Sequence, residues 1–219
     1  TEPIDGPPYR LDEGRVLDFQ RYTNLRQGIL RRDVTWQAPN GKIVDLHFER
    51  LIAYPREHLG AIRLLATAVS HPCAVTVRVG IDGHVANEDL LHLRLEDQGK
   101  AADTIWLRAR TRHTARLVAL AATLSVAMSS GDSEAATPEL CPGYPALLAA
   151  AELKPGQTLQ LDKLVALTTD RDAQAQLAPP ASGALTADET AGVVDRALAH
   201  LSALSYDQLR ADHIAAWDA

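Results

Sequence analysis

Alternation limits what this chain can fold into more than any other feature of its sequence. In residues 43–51 the apolar Val44, Leu46 and Phe48 point one way, and Asp45, His47 and Glu49 point the other. A period of two places successive side chains on opposite faces of a strand, so the segment predicts a sheet with one wet face. Pro39-Asn40-Gly41 lies between Trp36 and Ile43. Asn and Gly both tolerate positive φ, which predicts a tight hairpin turn there. Gly28 marks a strand start before Ile29, so residues 15–51 read as three strands joined by two short turns.

The same signal continues along the chain. Residues 59–69 predict a long strand with Ile62 and Leu64 on one face. Residues 74–81 alternate most cleanly, with Val75, Val77, Val79 and Ile81 inward. Residues 84–90 read as a polar loop, and residues 91–96 and 104–110 as shorter strands around a turn at Gln98-Gly99-Lys100. Residues 113–129 read as strand by their neighbours, although the Ala-rich end is equally helical by propensity. Residues 129–145 hold Gly131, Pro138, Pro142 and Gly143 and predict a long surface loop. Residues 147–153 and 158–169 predict a hairpin around Lys154-Pro155-Gly156-Gln157. After Asp172 the pattern changes to helix. Thr186-x-x-Glu189 and Ser205-x-x-Gln208 are capping-box signatures, each followed by apolar residues at helical spacing. Many strands followed by two helices predict a mainly β chain built as a large antiparallel sandwich.

Composition narrows the function. A net charge of −6 with no basic block disfavours a nucleic-acid surface. The longest apolar run, residues 117–128, is interrupted by Thr123 and Ser125 and is too short to span a bilayer. Two cysteines, Cys73 and Cys141, make no disulfide framework and point to a reducing, cytoplasmic compartment. No zinc spacing, phosphate-binding glycine loop or Ser/Cys nucleophile arrangement occurs, so no metal or cofactor is expected. Positioned carboxylates serve as general acids and bases, but Glu49 and Glu96 on strand faces read as solvated surface. His47 and Glu49 share a strand face and read as part of its wet side.

Three strings carry a family resemblance: NLRQGILRRDVTW, FERLIAYPREHLGAIRL and VRVGIDGHVANED, with the hairpin between the first two. They resemble the N-terminal β-domain of family 65 glycoside hydrolases and phosphorylases, of the maltose, trehalose and kojibiose phosphorylase type. The resemblance implies a super-sandwich, galactose-mutarotase-like, over residues 1–172. It implies a linker over residues 173–219 with two helices that lead into an (α/α)6 catalytic barrel. The string YDQLRADHIAAWDA resembles the linker helix. The family's catalytic glutamate and phosphate-binding residues belong to that barrel, so no residue here inherits a catalytic role. The implied partners are the chain's own barrel, a second subunit, and, for the whole enzyme, an α-glucosidic disaccharide and inorganic phosphate. In the family a β-domain loop leans on the barrel near the substrate pocket, which makes His84, Asn87 and Glu88 the candidate pocket residues. Alternative readings are a free-standing carbohydrate-binding module and a mutarotase-like sandwich. The terminal helix, with Leu209, Ile214 and Trp217 on one stripe, is expected to be poorly ordered or held by a neighbouring chain.

Overall fold

A computed structural model describes residues 9–131, 135–174 and 187–218. Thr186, and with it the first capping box, lies outside the described residues. The first three strands are β1 (Arg15–Asn24), β2 (Ile29–Gln37) and β3 (Ile43–Ile52). The β2–β3 turn closes with the Gly41 N–H donating to the Ala38 carbonyl at 2.8 Å, and Gly41 itself has φ +83. Ten more strands follow: β4 (Leu59–Ala68), β5 (Cys73–Gly80), β6 (Ala86–Asn87), β7 (Leu90–Leu91), β8 (Leu93–Ala101), β9 (Thr104–Thr111), β10 (Leu117–Met128), β11 (Thr137–Cys141), β12 (Tyr144–Leu153) and β13 (Thr158–Thr169). The helices are α1 (Asp170–Gln174), α2 (Ala187–Leu201) and α3 (Tyr206–Trp217).

Eight strands form one antiparallel sheet in the order β1-β2-β3-β4-β13-β10-β9-β8, and β11-β12-β5 form a smaller one. The alternation sorts side chains between two layers of core. On β10, Leu117, Ala119 and Ala121 face the helices, while Ala122, Leu124 and Val126 face the small sheet. The small sheet contributes Val75, Val77 and Val79, the inward residues of the predicted strand. At the other end of the large sheet Val34, Trp36 and Leu46 form a third cluster, closed by Tyr9 edge-on to Trp36 at 5.3 Å.

The structure redraws several connections. Residues 147–153 and 158–169 do not pair. β12 pairs with β5 and β11, while β13 pairs with β10 and β4. The turn at Lys154–Gln157 is real, with Gln157 N–H donating to the Lys154 carbonyl at 2.9 Å, but it carries the chain from one sheet to the other. Turn chemistry marks a reversal and does not say which strand the chain rejoins. Gln98, Gly99 and Lys100 lie within β8, and the reversal comes after Ala101, with Ala102 at φ +50. Residues 84–90 are not an open loop. β6 and β7 form a small hairpin around Glu88 and Asp89, both at positive φ. Within the expected surface loop, β11 pairs with β12. Glu96 is not bare surface: Arg110 donates to it at 2.6 Å, with Arg94 and Arg108 close by.

Helix α2 lies over β10 and β13 through Val193, Val194, Ala197 and Leu201. The Ser205 hydroxyl caps α3 by accepting from Gln208 N–H at 3.2 Å, as its motif predicts. The Gln208 side chain turns instead to Asp212. The expectation of an unsupported terminal helix is overturned. Leu209 and His213 are fully buried and Tyr206 nearly so, against this chain's own sheet.

Candidate functional site

The seat of α3 is built on β3. The residue read as part of a wet face, Glu49, is only 5% exposed. Alternation did place it opposite Phe48, but α3 covers that face. Glu49 accepts from Arg31 at 2.9 Å, from the Tyr206 hydroxyl at 2.7 Å, and from Arg210. Burial pushes its carboxyl up. Hydrogen bonds from Arg210 and Tyr206 and the charges of Arg210 and Arg31 outweigh that, leaving it below its ordinary value. Burial and the bond to Glu49 in turn push the Tyr206 phenol up. Arg63 stacks on the Tyr206 ring at 4.0 Å and bridges Asp162 at 2.6 Å and Asp207 at 2.9 Å.

Further along α3, the His213 ring bridges two loops. Its Nδ1 accepts from the Tyr54 N–H at 3.1 Å, and its Nε2 donates to the Gly28 carbonyl at 3.2 Å. Trp217 Nε1 donates to the Leu25 carbonyl at 2.8 Å. Gly28 has φ +62, and a Cβ there would lie 2.7 Å from the Trp217 ring and 2.8 Å from His213. The strand-start glycine is therefore also what lets α3 approach.

The pairing register brings several loops to one end of the large sheet. Asn24 pairs with Ile29, Ile52 with Gly60, Leu117 with Arg110, and Leu93 with Thr111. The β1–β2 turn, the β3–β4 loop, the β9–β10 turn and the β6–β7 hairpin therefore share that end. Exposed apolar side chains gather there: Leu25, Ile52, Tyr54 and Trp217 around α3, and Val85 and Leu90 on the hairpin. An open groove of about 520 Å³ runs between Tyr54, Glu57, His58 and His200. His58 Nδ1 donates to the Leu167 carbonyl at 3.1 Å, and its ring lies 4.8 Å from that of His200. Burial and the neighbouring His58 hold His200 below the ordinary histidine value.

His84 lies just before β6, Asn87 within it and Glu88 in the turn to β7, and all three are exposed. Asp82 Oδ1 accepts from His84 N–H at 2.8 Å, and His84 Nε2 lies 3.3 Å from the Pro142 carbonyl. That ties the hairpin root to the β11–β12 turn. Asn87 and Glu88 stand at its tip. His47 pairs with Asp33 and does not converge with the covered Glu49. Among the described residues no group of three His, Cys, Asp or Glu is placed to hold a metal ion, and both cysteines are free. No described helix is long and apolar enough to cross a membrane.

Sequence reasoning missed the Glu49 network. A signal was available: Glu49 shares a strand face with His47, and a helix with an unclaimed apolar stripe follows later in the chain.

A two-layer antiparallel sandwich whose terminal helix is clamped onto the larger sheet defines the class. The chain belongs to the family of glycosyl hydrolase family 65 N-terminal domains, which it matches over residues 3–219. It is 26% identical over 172 residues to a kojibiose phosphorylase of Halothermothrix orenii, covering 77% of this chain and 22% of that protein. It is 31% identical over 84 residues to an alpha,alpha-trehalose phosphorylase of Thermoanaerobacter brockii, covering 38% of this chain and 11% of that protein. A solved structure described as a putative kojibiose phosphorylase from human microbiome superposes with a TM-score of 0.77 at 14% identity, over 95% of this chain and 25% of that one. The chain thus spans a quarter or less of the proteins it resembles.

Proposed function

We propose that this chain is the non-catalytic sandwich of a larger enzyme that cleaves an α-glucosidic disaccharide by phosphorolysis or hydrolysis, with inorganic phosphate as co-substrate in the first case. The loop end of the large sheet docks against the catalytic barrel. α3 acts as the rigid lead into that barrel, and the β6–β7 hairpin with His84, Asn87 and Glu88 forms one wall of the pocket. The same domain supports contacts to a second subunit. The observation that carries this reading is the gathering of exposed apolar side chains at the loop end. Leu25 and Tyr54 are tied to α3 through Trp217 and His213, and these two, Trp217 and Ile52 all remain open to solvent. Clustered exposed apolar surface of this kind marks an interaction site.

A free-standing mutarotase-like sandwich would need a converging His and carboxylate cleft, and α3 covers Glu49 where that cleft would open. The test compares this chain alone with the polypeptide that includes a barrel, on kojibiose, trehalose and maltose, with and without phosphate. The chain alone is expected to release no glucose. In the longer polypeptide, Leu90→Asp should lower turnover while leaving this domain's melting temperature in place. Turnover by the chain alone, kept through repurification, would refute the reading.

A further inference from the structure

The face of the large sheet opposite α3 carries an unusual imbalance of charge. Pairing register places Arg21 beside Arg32, Arg32 beside Phe48, and Leu30 beside Arg50. These five residues line one cleft of about 80 Å³. The carboxylates of β1 to β4 are Asp18, Asp33, Asp45 and Glu49. Asp18 pairs with Thr35, Asp33 with His47, Thr35 with Asp45 and Arg31 with Glu49, so all four alternate onto the helix-side face. On that side each is available to a partner: Arg31 and Arg210 hold Glu49, and Thr35 donates to Asp45 at 2.6 Å. The cleft side has three guanidinium groups and no carboxylate among the described residues of these strands.

The arrangement is built rather than solvated at random. The Arg32 guanidinium lies flat on the Phe48 ring at 4.1 Å. Its Nε is buried and has no hydrogen-bond partner among the described residues, nor does the buried Tyr9 hydroxyl on the same face. A buried donor without an acceptor is costly, so a missing acceptor is the economical explanation. Burial, together with the charges of Arg32 and Arg21, holds Arg50 below the ordinary arginine value. Like charges held this close favour whatever anion neutralises them.

We propose that Arg21, Arg32 and Arg50 form an anion site for a phosphate-type oxyanion, carried either by free inorganic phosphate or by a phosphate ester of a small sugar. Guanidinium forks match tetrahedral oxyanions in charge and in hydrogen-bond geometry. Three cations from three adjacent strands suit a dianion better than a single carboxylate. Leu30 and Phe48 give the cleft an apolar floor, against which the carbon face of an ester packs. The site is on the other side of the sheet from α3.

The test is calorimetric titration and thermal melting of the 219-residue chain with inorganic phosphate, glucose 1-phosphate and acetate, each against sodium chloride at matched ionic strength. Phosphate and the ester should bind saturably and raise the melting temperature, while acetate should do no more than chloride. Tighter binding of the ester assigns the apolar floor to a sugar, and equal binding assigns the site to free phosphate. Arg32→Gln and Arg50→Gln should each weaken binding about tenfold or more, the loss of a charge-assisted hydrogen bond. Without added anion Arg50→Gln should melt no lower than the parent, since it removes a repelled charge. Arg94→Gln, on the distant β8, is the control and should bind like the parent. Phosphate behaving as chloride does, or unchanged phosphate binding in both cleft variants, would overturn the proposal.

Discussion

Helices α2 and α3 cover the same face of one sheet, and they are attached by different chemistries. α2 is held by apolar contact: Val193, Ala197 and Leu201 rest in one cluster with Ala119, Ala121 and Leu164. α3 shares that cluster through Tyr206 and Leu209 but adds polar groups taken out of water, with Glu49 gripped by Arg31, Tyr206 and Arg210, and His213 bridging Tyr54 and Gly28. Apolar contact is insensitive to direction and tolerates sliding. A buried carboxylate with three donors is not: it fixes the helix in rotation and height, because any slip leaves a charge unpaired. The helix held in register is the one proposed to lead into the barrel.

Four measurements would break or sharpen that contrast. The largest effect is expected from Glu49→Ala, which strands Arg31, Arg210 and the Tyr206 hydroxyl. It should cost about 3–5 kcal/mol, the loss seen when one partner of a buried ion pair is removed. Urea denaturation gives the total, and hydrogen exchange should show the loss concentrated in α3. Unchanged exchange across Tyr206–Trp217 would mean that Leu209 alone holds the helix.

Next comes Leu201→Ala beneath α2, expected to cost about 2–4 kcal/mol as a cavity in an apolar cluster. Its cost should be the same at neutral and at acid pH, and a cost that varies with pH would erase the distinction between the two seats.

Acid should act on α3 before α2. The folded carboxyl of Glu49 titrates below its ordinary 4.5. Its stabilising contribution is therefore complete above that value and is lost as pH falls through the folded pKa. Amide exchange in α3 should accelerate relative to α2 as the pH falls below that value. Equal acceleration in both helices would point to global acid unfolding instead.

The smallest effect belongs to Tyr206→Phe. It keeps the ring under Arg63 and removes one hydrogen bond to Glu49, for about 1 kcal/mol. A loss as large as that of Glu49→Ala would show that the phenol, not the charge pairing, is the main clamp.

Much of the sandwich was legible along the chain. Val44, Leu46 and Phe48, and Val75, Val77 and Val79, face the core as their alternation requires. Ser205 caps α3 as its motif requires. The candidate loop was visible as a break between strands. Its hairpin was not, because two-residue strands carry too little pattern to register. Glu49 and Glu96 were misread for one reason. Alternation tells which side of a strand a residue takes, but not what lies above that side.

By itself the sequence determined much of the local geometry: strand period, most turn positions, the α3 cap and the sheet-then-helix order. Those follow from interactions within a few residues, which any stretch carries with it. Only the tertiary structure decided that β12 and β13 part to different sheets, and that Glu49 meets Tyr206 and Arg210, 157 and 161 residues away. It also decided that Arg21, Arg32 and Arg50 converge on one face of the sheet. Pairing partners are chosen by the burial of whole faces and by charges meeting across space, and neither has a signature at short range.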